Sequence, residues 1–159
     1  MNRDERSLRW WEIFGDEWRS RQMPGFLHPD EHDPNLMWAE VRPHRDALGI
    51  YVEEEMAQCV YRLHPEPPAM LAPMAGYLGQ QRAGIERAFG GPLNWVPGVV
   101  SFGIETPALG TGWASPVIEW NELVNALVDQ YAALRDALAV PICLPEPVRA
   151  YSVTQWPVQ

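Results

Sequence analysis

The stretch His28-Pro29-Asp30-Glu31-His32-Asp33 holds the densest run of metal-capable side chains in the sequence. His28 and His32 stand four apart, a spacing that offers two imidazoles to one divalent metal when both lie on a helix, with Asp33 as a carboxylate ligand. Pro29 follows His28 and Pro34 follows Asp33, and both work against that helix. The run therefore reads first as a polar turn and second as the site of a metal-dependent enzyme.

A second group is basic. Arg42, His44, Arg45, Arg62 and His64 fall at the ends of stretches with strand character. If those strands pair, the five side chains gather on one sheet face, where a small Arg/His patch suits phosphate, nucleic acid or a carboxylate. A solvated sheet edge is the plainer reading. The net charge of −9 opposes phosphate-backbone binding as the main task. All 12 cations are Arg. Without Lys there is no P-loop Lys, no Schiff-base Lys and no Lys of a PD-(D/E)xK nuclease core.

Other motifs carry less. Glu53-Glu54-Glu55 suits a solvated hairpin end, with a lure for a basic partner as the alternative. Thr106-Pro107-Ala108-Leu109-Gly110-Thr111-Gly112 precedes a helix, and helix N-termini bind anions, but a Walker Lys and a GxGxxG spacing are both missing. Cys59 sits on a buried strand face, and Cys143 is too distant in sequence to make a knuckle or a disulfide framework with it. No GxSxG occurs. These residues assign no catalytic group and no cofactor.

The elements that must position these residues follow from periodicity. A helix is expected over 7–22, with Leu8, Trp11, Phe14 and Trp18 on its apolar stripe. Strands are expected at 36–42, 48–53 and 57–64, joined by short links into an antiparallel meander. The first alternates imperfectly. The third places Cys59, Tyr61 and Leu63 on one face, against Gln58, Arg62 and His64. A helix over 69–89 stops at Gly90-Gly91-Pro92, and a fourth strand region, 93–105, is broken at Pro97-Gly98. The last helix is expected to open with Ser115 as N-cap and Pro116 at N1. Its stripe is Val117, Trp120, Val124, Leu127, Tyr131, Leu134 and Leu138. Most of the eight Trp fall at core periodicity.

The expected class is α+β: a mostly antiparallel sheet of about four strands with helices packed on one face, in the order α-β-β-β-α-β-α. One domain covers 1–140. Residues 141–159, with Pro141, Pro145, Pro147 and Pro157, read as a tail that Tyr151, Val153 and Trp156 anchor to the domain. No apolar h-region follows Met1-Asn2-Arg3-Asp4-Glu5-Arg6, and no apolar run approaches the ~18 residues of a membrane span, so a cytoplasmic protein is expected.

Tyr77-Leu78 and Ile85-Glu86-Arg87-Ala88-Phe89-Gly90-Gly91-Pro92-Leu93-Asn94-Trp95 resemble the DUF4268 domain family. The shared pattern is a helix with Ile-Glu, an aromatic followed by Gly, a short turn, and Leu-x-Trp opening a strand. Ile104, Trp113 and a helix bearing Trp120 follow. The likeness spans residues 8–139 and is specific at 77–95. This chain departs from the family in lacking Lys and in its Pro97-Gly98 break. The resemblance implies an accessory or regulatory domain of prokaryotic or phage genome-defence proteins of restriction type, and it carries over no catalytic residue. The expected function is thus a non-catalytic protein-interaction module whose partner is another protein. A nucleic-acid-binding module using the Arg/His face is the alternative, and a metal-dependent enzyme using 28–33 the second.

Overall fold

A computed structural model describes residues 1–41 and 46–139. Helix α1 spans Arg3–Ser20, and its start is written in a capping box: Asn2 Oδ1 accepts the Glu5 amide at 2.9 Å and Glu5 Oε2 accepts the Asn2 amide at 2.9 Å. That box precedes the apolar stripe by two turns, so the helix begins earlier than its hydrophobic pattern. Trp10, Phe14 and Trp18 form the buried ridge.

The strands are β1 (His28–Pro29), β2 (Leu36–Val41), β3 (Asp46–Val52), β4 (Ala57–Leu63), β5 (Asn94–Val96) and β6 (Phe102–Glu105). They form one sheet in the order β1-β2-β3-β4-β6-β5, with every neighbouring pair antiparallel. Helices α2 (Leu71–Gln80) and α3 (Arg82–Phe89) connect β4 to β5, and α4 (Trp120–Ala139) closes the described chain. Residues from all four helices share a single core with Leu48, Ile50, Cys59, Tyr61, Leu63, Phe102 and Ile104 of the sheet. The helices therefore lie on one face, as the α+β expectation held.

The detail differs from that expectation in several places. The sheet has six strands instead of about four. Residues 93–105 do not make one interrupted strand: Pro97-Gly98 turns the chain, and β5 and β6 pair as a hairpin. Val100, expected to alternate with Phe102 and Ile104, sits in that turn and is 68% exposed. The 24–35 loop contributes β1, an added two-residue edge strand.

The helix expected over 69–89 is two helices meeting at Gln81–Arg82. Gly76, Gly79 and Gly84 each lower helical preference by about 1 kcal/mol relative to Ala, so little opposes the break. At the last helix, Pro116 and not Ser115 takes the N-cap position, of a short 3-10 turn over Val117–Glu119. Ser115 Oγ instead donates back to the Gly112 carbonyl, while its own carbonyl accepts Trp120 Nε1 at 2.9 Å.

The Ile85–Trp95 stretch is a self-contained clasp. Glu86 Oε2 accepts the Leu93 amide at 2.6 Å and Glu86 Oε1 accepts Arg82 Nε at 3.0 Å. The Arg82 guanidinium lies 5.3 Å from the Trp95 ring centre. Gly90, at φ 101°, ends α3 in the left-handed conformation that Gly adopts without penalty. The motif is turn and packing chemistry.

Candidate functional site

Opposite residues in an antiparallel pair point to the same side, so the registers define rows across the sheet. One row runs Val41, Ala47, Arg62, Gly103, Val96. The next runs His28, Trp38, Gly49, Val60, Glu105, Asn94. Both rows face away from the helices, and among the described residues no helix covers them. Val41 is 56% exposed and Val96 46%. Exposed Val99 and Val100 extend the same end of the sheet.

Trp38 is the aromatic centre of this face. Its ring lies over Gly49, where a Cβ would come within 2.7 Å of Trp38 Cε3 and 2.5 Å of the Met37 carbonyl oxygen. The Arg62 guanidinium sits 5.8 Å from the Trp38 ring centre. Beside Arg62 a pocket of about 210 Å³ is bounded by Val96, Pro97, Ser101, Phe102 and Glu105. Trp38 Nε1 donates to Asp30 Oδ1 at 2.8 Å, which fixes the ring in its plane.

A bulge in β2 separates this face from the buried polar cluster beneath it. The register shifts between Trp38 and Glu40, leaving Ala39 extra. Strict alternation would send Glu40 outward with Trp38. The extra residue sends it inward, where it is 6% exposed. There Tyr131 Oη donates to Glu40 Oε1, and Arg135 Nε donates to the same oxygen at 2.8 Å. Burial, and then the Glu40 carboxylate, push the Tyr131 hydroxyl well above its usual range. The cluster ties β2 to α4. Tyr131 is fully buried, so no substrate reaches it. Imperfect alternation over 36–42 was its sequence signal. What it could not show was which carboxylate the bulge would turn inward.

The 28–33 stretch uses its polar groups on itself. Asp30 Oδ2 accepts the amides of His32 and Asp33, each at 2.9 Å. The Trp38 indole and then the His32 amide hold the Asp30 carboxyl below the usual carboxylate range. Asp33 Oδ1 accepts the Asn35 amide at 2.9 Å. His28, in β1, has Nδ1 3.0 Å from the Phe26 carbonyl oxygen, and His32 is exposed in the turn. Among the described residues no three His, Cys, Asp or Glu side chains converge on a metal-sized space.

Of the basic group, Arg62 lies on the outer face and His64 is exposed one residue past β4. Arg42, His44 and Arg45 lie outside the described residues, as does the tail 141–159. Glu53 and Glu54 pack by their backbones against the 106–114 loop, accepting the amides of Trp113 at 3.2 Å and Ala114 at 2.9 Å. Arg3 pairs with Glu54 at 2.8 Å. The loop that resembled an anion cradle is therefore a brace for the β3–β4 turn. Cys59 is fully buried, its thiol 3.4 Å from the Leu127 carbonyl oxygen, and burial pushes that thiol far above its usual range. No described helix is long and apolar enough to cross a membrane.

Comparison with models of protein families finds no match, and neither does comparison with curated proteins or with solved structures.

Proposed function

We propose that this chain is a non-catalytic protein-interaction module that docks another protein on the outer face of its sheet. The observation that carries this reading is the row Val41–Ala47–Arg62–Gly103–Val96 lying beside Trp38 with no described helix over it. Val41 and Val96 are exposed at the two edges of a face whose centre holds an anchored Trp, an Arg and the buried Ala47 and Val60. Aromatics and Arg are enriched in protein interface cores. The buried polar groups beneath support it too: the Glu40 cluster and Cys59 are closed to substrate and serve packing. The DUF4268 resemblance adds a setting, that of an accessory or regulatory domain in genome defence.

Nucleic-acid binding is a second reading, favoured by the Arg62–Trp38 stack, since aromatic and guanidinium planes can hold bases. The net charge of −9 ranks it lower.

The test is affinity capture with the full chain and with Val41→Glu/Val96→Glu, read by mass spectrometry and by absorbance at nucleic-acid wavelengths. A stoichiometric protein held by the parent and lost from the variant supports the docking reading. Nucleic acid that is released by salt and lost on Arg62→Glu replaces it with the second reading. A stoichiometric metal found by elemental analysis and lost on His28→Ala would move the function to the 28–33 stretch.

A further inference from the structure

Arg62 of β4 and Glu105 of β6 are diagonal neighbours. Arg62 lies opposite Gly103 and Val60 lies opposite Glu105, so all four share one side of the paired strands. Diagonal positions stand ~7–8 Å apart, within reach of two long side chains of opposite sign. Among the described residues no ion pair joins these two, because each is turned to another partner. The Arg62 guanidinium lies 5.8 Å from the Trp38 ring centre. Glu105 Oε2 accepts Gln58 Nε2 at 3.1 Å. Both residues line the pocket of about 210 Å³.

Gly103 leaves that pocket its space. A Cβ there would meet its nearest neighbours at ordinary van der Waals distance, the Tyr61 carbonyl oxygen at 3.5 Å and Val96 Cβ at 3.6 Å. The backbone therefore tolerates a side chain at this position, and what a side chain would remove is open volume. Val60, buried, and Val96, half exposed, give the pocket its apolar lining.

The two charged groups keep bonding capacity. Stacking engages the flat face of a guanidinium and leaves its N–H edge for a carboxylate. No described group accepts from the Arg62 donors, and Glu105 Oε1 has no described donor. A simple anion is repelled by Glu105 and by the net charge of −9, and a simple cation is repelled by Arg62. A neutral molecule carrying both signs satisfies both groups. The volume lies below the ~300–1,000 Å³ of sites for drug-sized ligands, so the molecule is small. An α-amino acid holds carboxylate and ammonium one carbon apart. With a charge-assisted hydrogen bond of ~2.8 Å at each end it spans about 8 Å, the scale of the diagonal spacing.

We propose that this pocket binds a small α-amino acid, with Arg62 taking the carboxylate, Glu105 the ammonium, and Val60 and Val96 a short apolar side chain. The site needs no partner protein, so it stands or falls separately from the docking reading.

The experiment titrates the full, isotope-labelled chain with L-alanine, propionate and ethylamine, read by amide chemical shifts in nuclear magnetic resonance. The last two probes each lack one of the two charges. L-alanine should give saturable shifts at Ser101, Gly103 and Glu105, and the other two should bind at least tenfold more weakly. Arg62→Gln and Glu105→Gln should each weaken L-alanine at least tenfold. Glu105→Gln should also strengthen propionate relative to the parent, a gain that a purely structural role for Glu105 does not bring. Gly103→Ala should weaken L-alanine while far-ultraviolet circular dichroism and melting temperature match the parent. Absence of saturable shifts with L-alanine would overturn the proposal. So would propionate binding as tightly as L-alanine, which marks a plain anion site, or L-alanine binding retained in both charge variants.

Discussion

Tyr131 donates its hydroxyl hydrogen bond to Glu40 across the boundary between α4 and the sheet, in an interior where Tyr131 has no solvent exposure. The bulge at Ala39 is what makes this contact, since without the extra residue Glu40 would point to the opposite face. Arg135 meets the same carboxylate oxygen.

Glu40→Ala should destabilise the protein by about 3–5 kcal/mol, because it leaves Tyr131 and Arg135 facing a buried gap. Tyr131→Phe should cost less, about 1–3 kcal/mol, since Arg135 still holds the carboxylate. Urea denaturation measures both, and equal losses would show that the hydroxyl matters as much as the charge.

Gly49→Ala should displace Trp38. A Cβ there meets both the indole and the Met37 carbonyl, and the carbonyl belongs to a paired strand that cannot yield. A loss of about 1–3 kcal/mol is expected from overpacking. The indole leaves its bond with Asp30, so tryptophan fluorescence should change with stability. An unchanged spectrum would place the Trp38 ring elsewhere.

Asp30 and Glu86 both have folded-state values below those of an ordinary carboxylate, the first from the Trp38 indole and the second from the Leu93 amide. A depressed carboxylate stabilises the fold above its unfolded value, near 4, and that contribution fades as pH falls through the lower folded value. Melting temperature should therefore drop on acidification below about pH 4. Asp30→Asn should melt lower at neutral pH and show a shallower acid limb. Both groups are only partly buried and remain in reach of solvent, so screening should keep each effect under about 1 kcal/mol.

Cys59 should be inert toward a thiol reagent in the folded protein. Its burial disfavours the thiolate, which is the reactive form. In a Cys143→Ala chain, the titre at mildly alkaline pH should be zero until denaturant is added. Rapid labelling in the native state would mean that α4 lifts from the sheet.

Thr106 Oγ1 accepts the Cys59 amide at 2.9 Å in a fully buried position. Thr106→Val keeps the shape and removes the acceptor, so it should cost about 1–3 kcal/mol. Thermal denaturation measures it, and a neutral result would assign Thr106 to packing alone.

Local periodicity was enough for much of this fold. The 3-4 spacing from Val117 to Leu138 specified a buried helix face that holds from Trp120 onward, whereas Val117 lies in the 3-10 turn and is half exposed. Alternation from Ala57 to Leu63 put Cys59, Tyr61 and Leu63 inward. Gly90-Gly91-Pro92 stopped α3 where such residues must. These features are legible because side-chain direction repeats every 3.6 or 2 residues whatever the rest of the chain does. The polar turn at 28–33 was legible in the same way, since short-range Asx bonds need only neighbouring amides.

The outer face was not legible. Trp38, Arg62 and Val96 are distant in sequence and become neighbours only through pairing registers across five strands. The inward turn of Glu40 depends on one extra residue whose position the pairing of β2 with β3 decides. Sequence alone determined the elements and the sides they bury, because those follow from local stereochemistry. Tertiary structure decided strand order, the bulge and which residues share the outer face, because those are settled by which distant surfaces exclude water together.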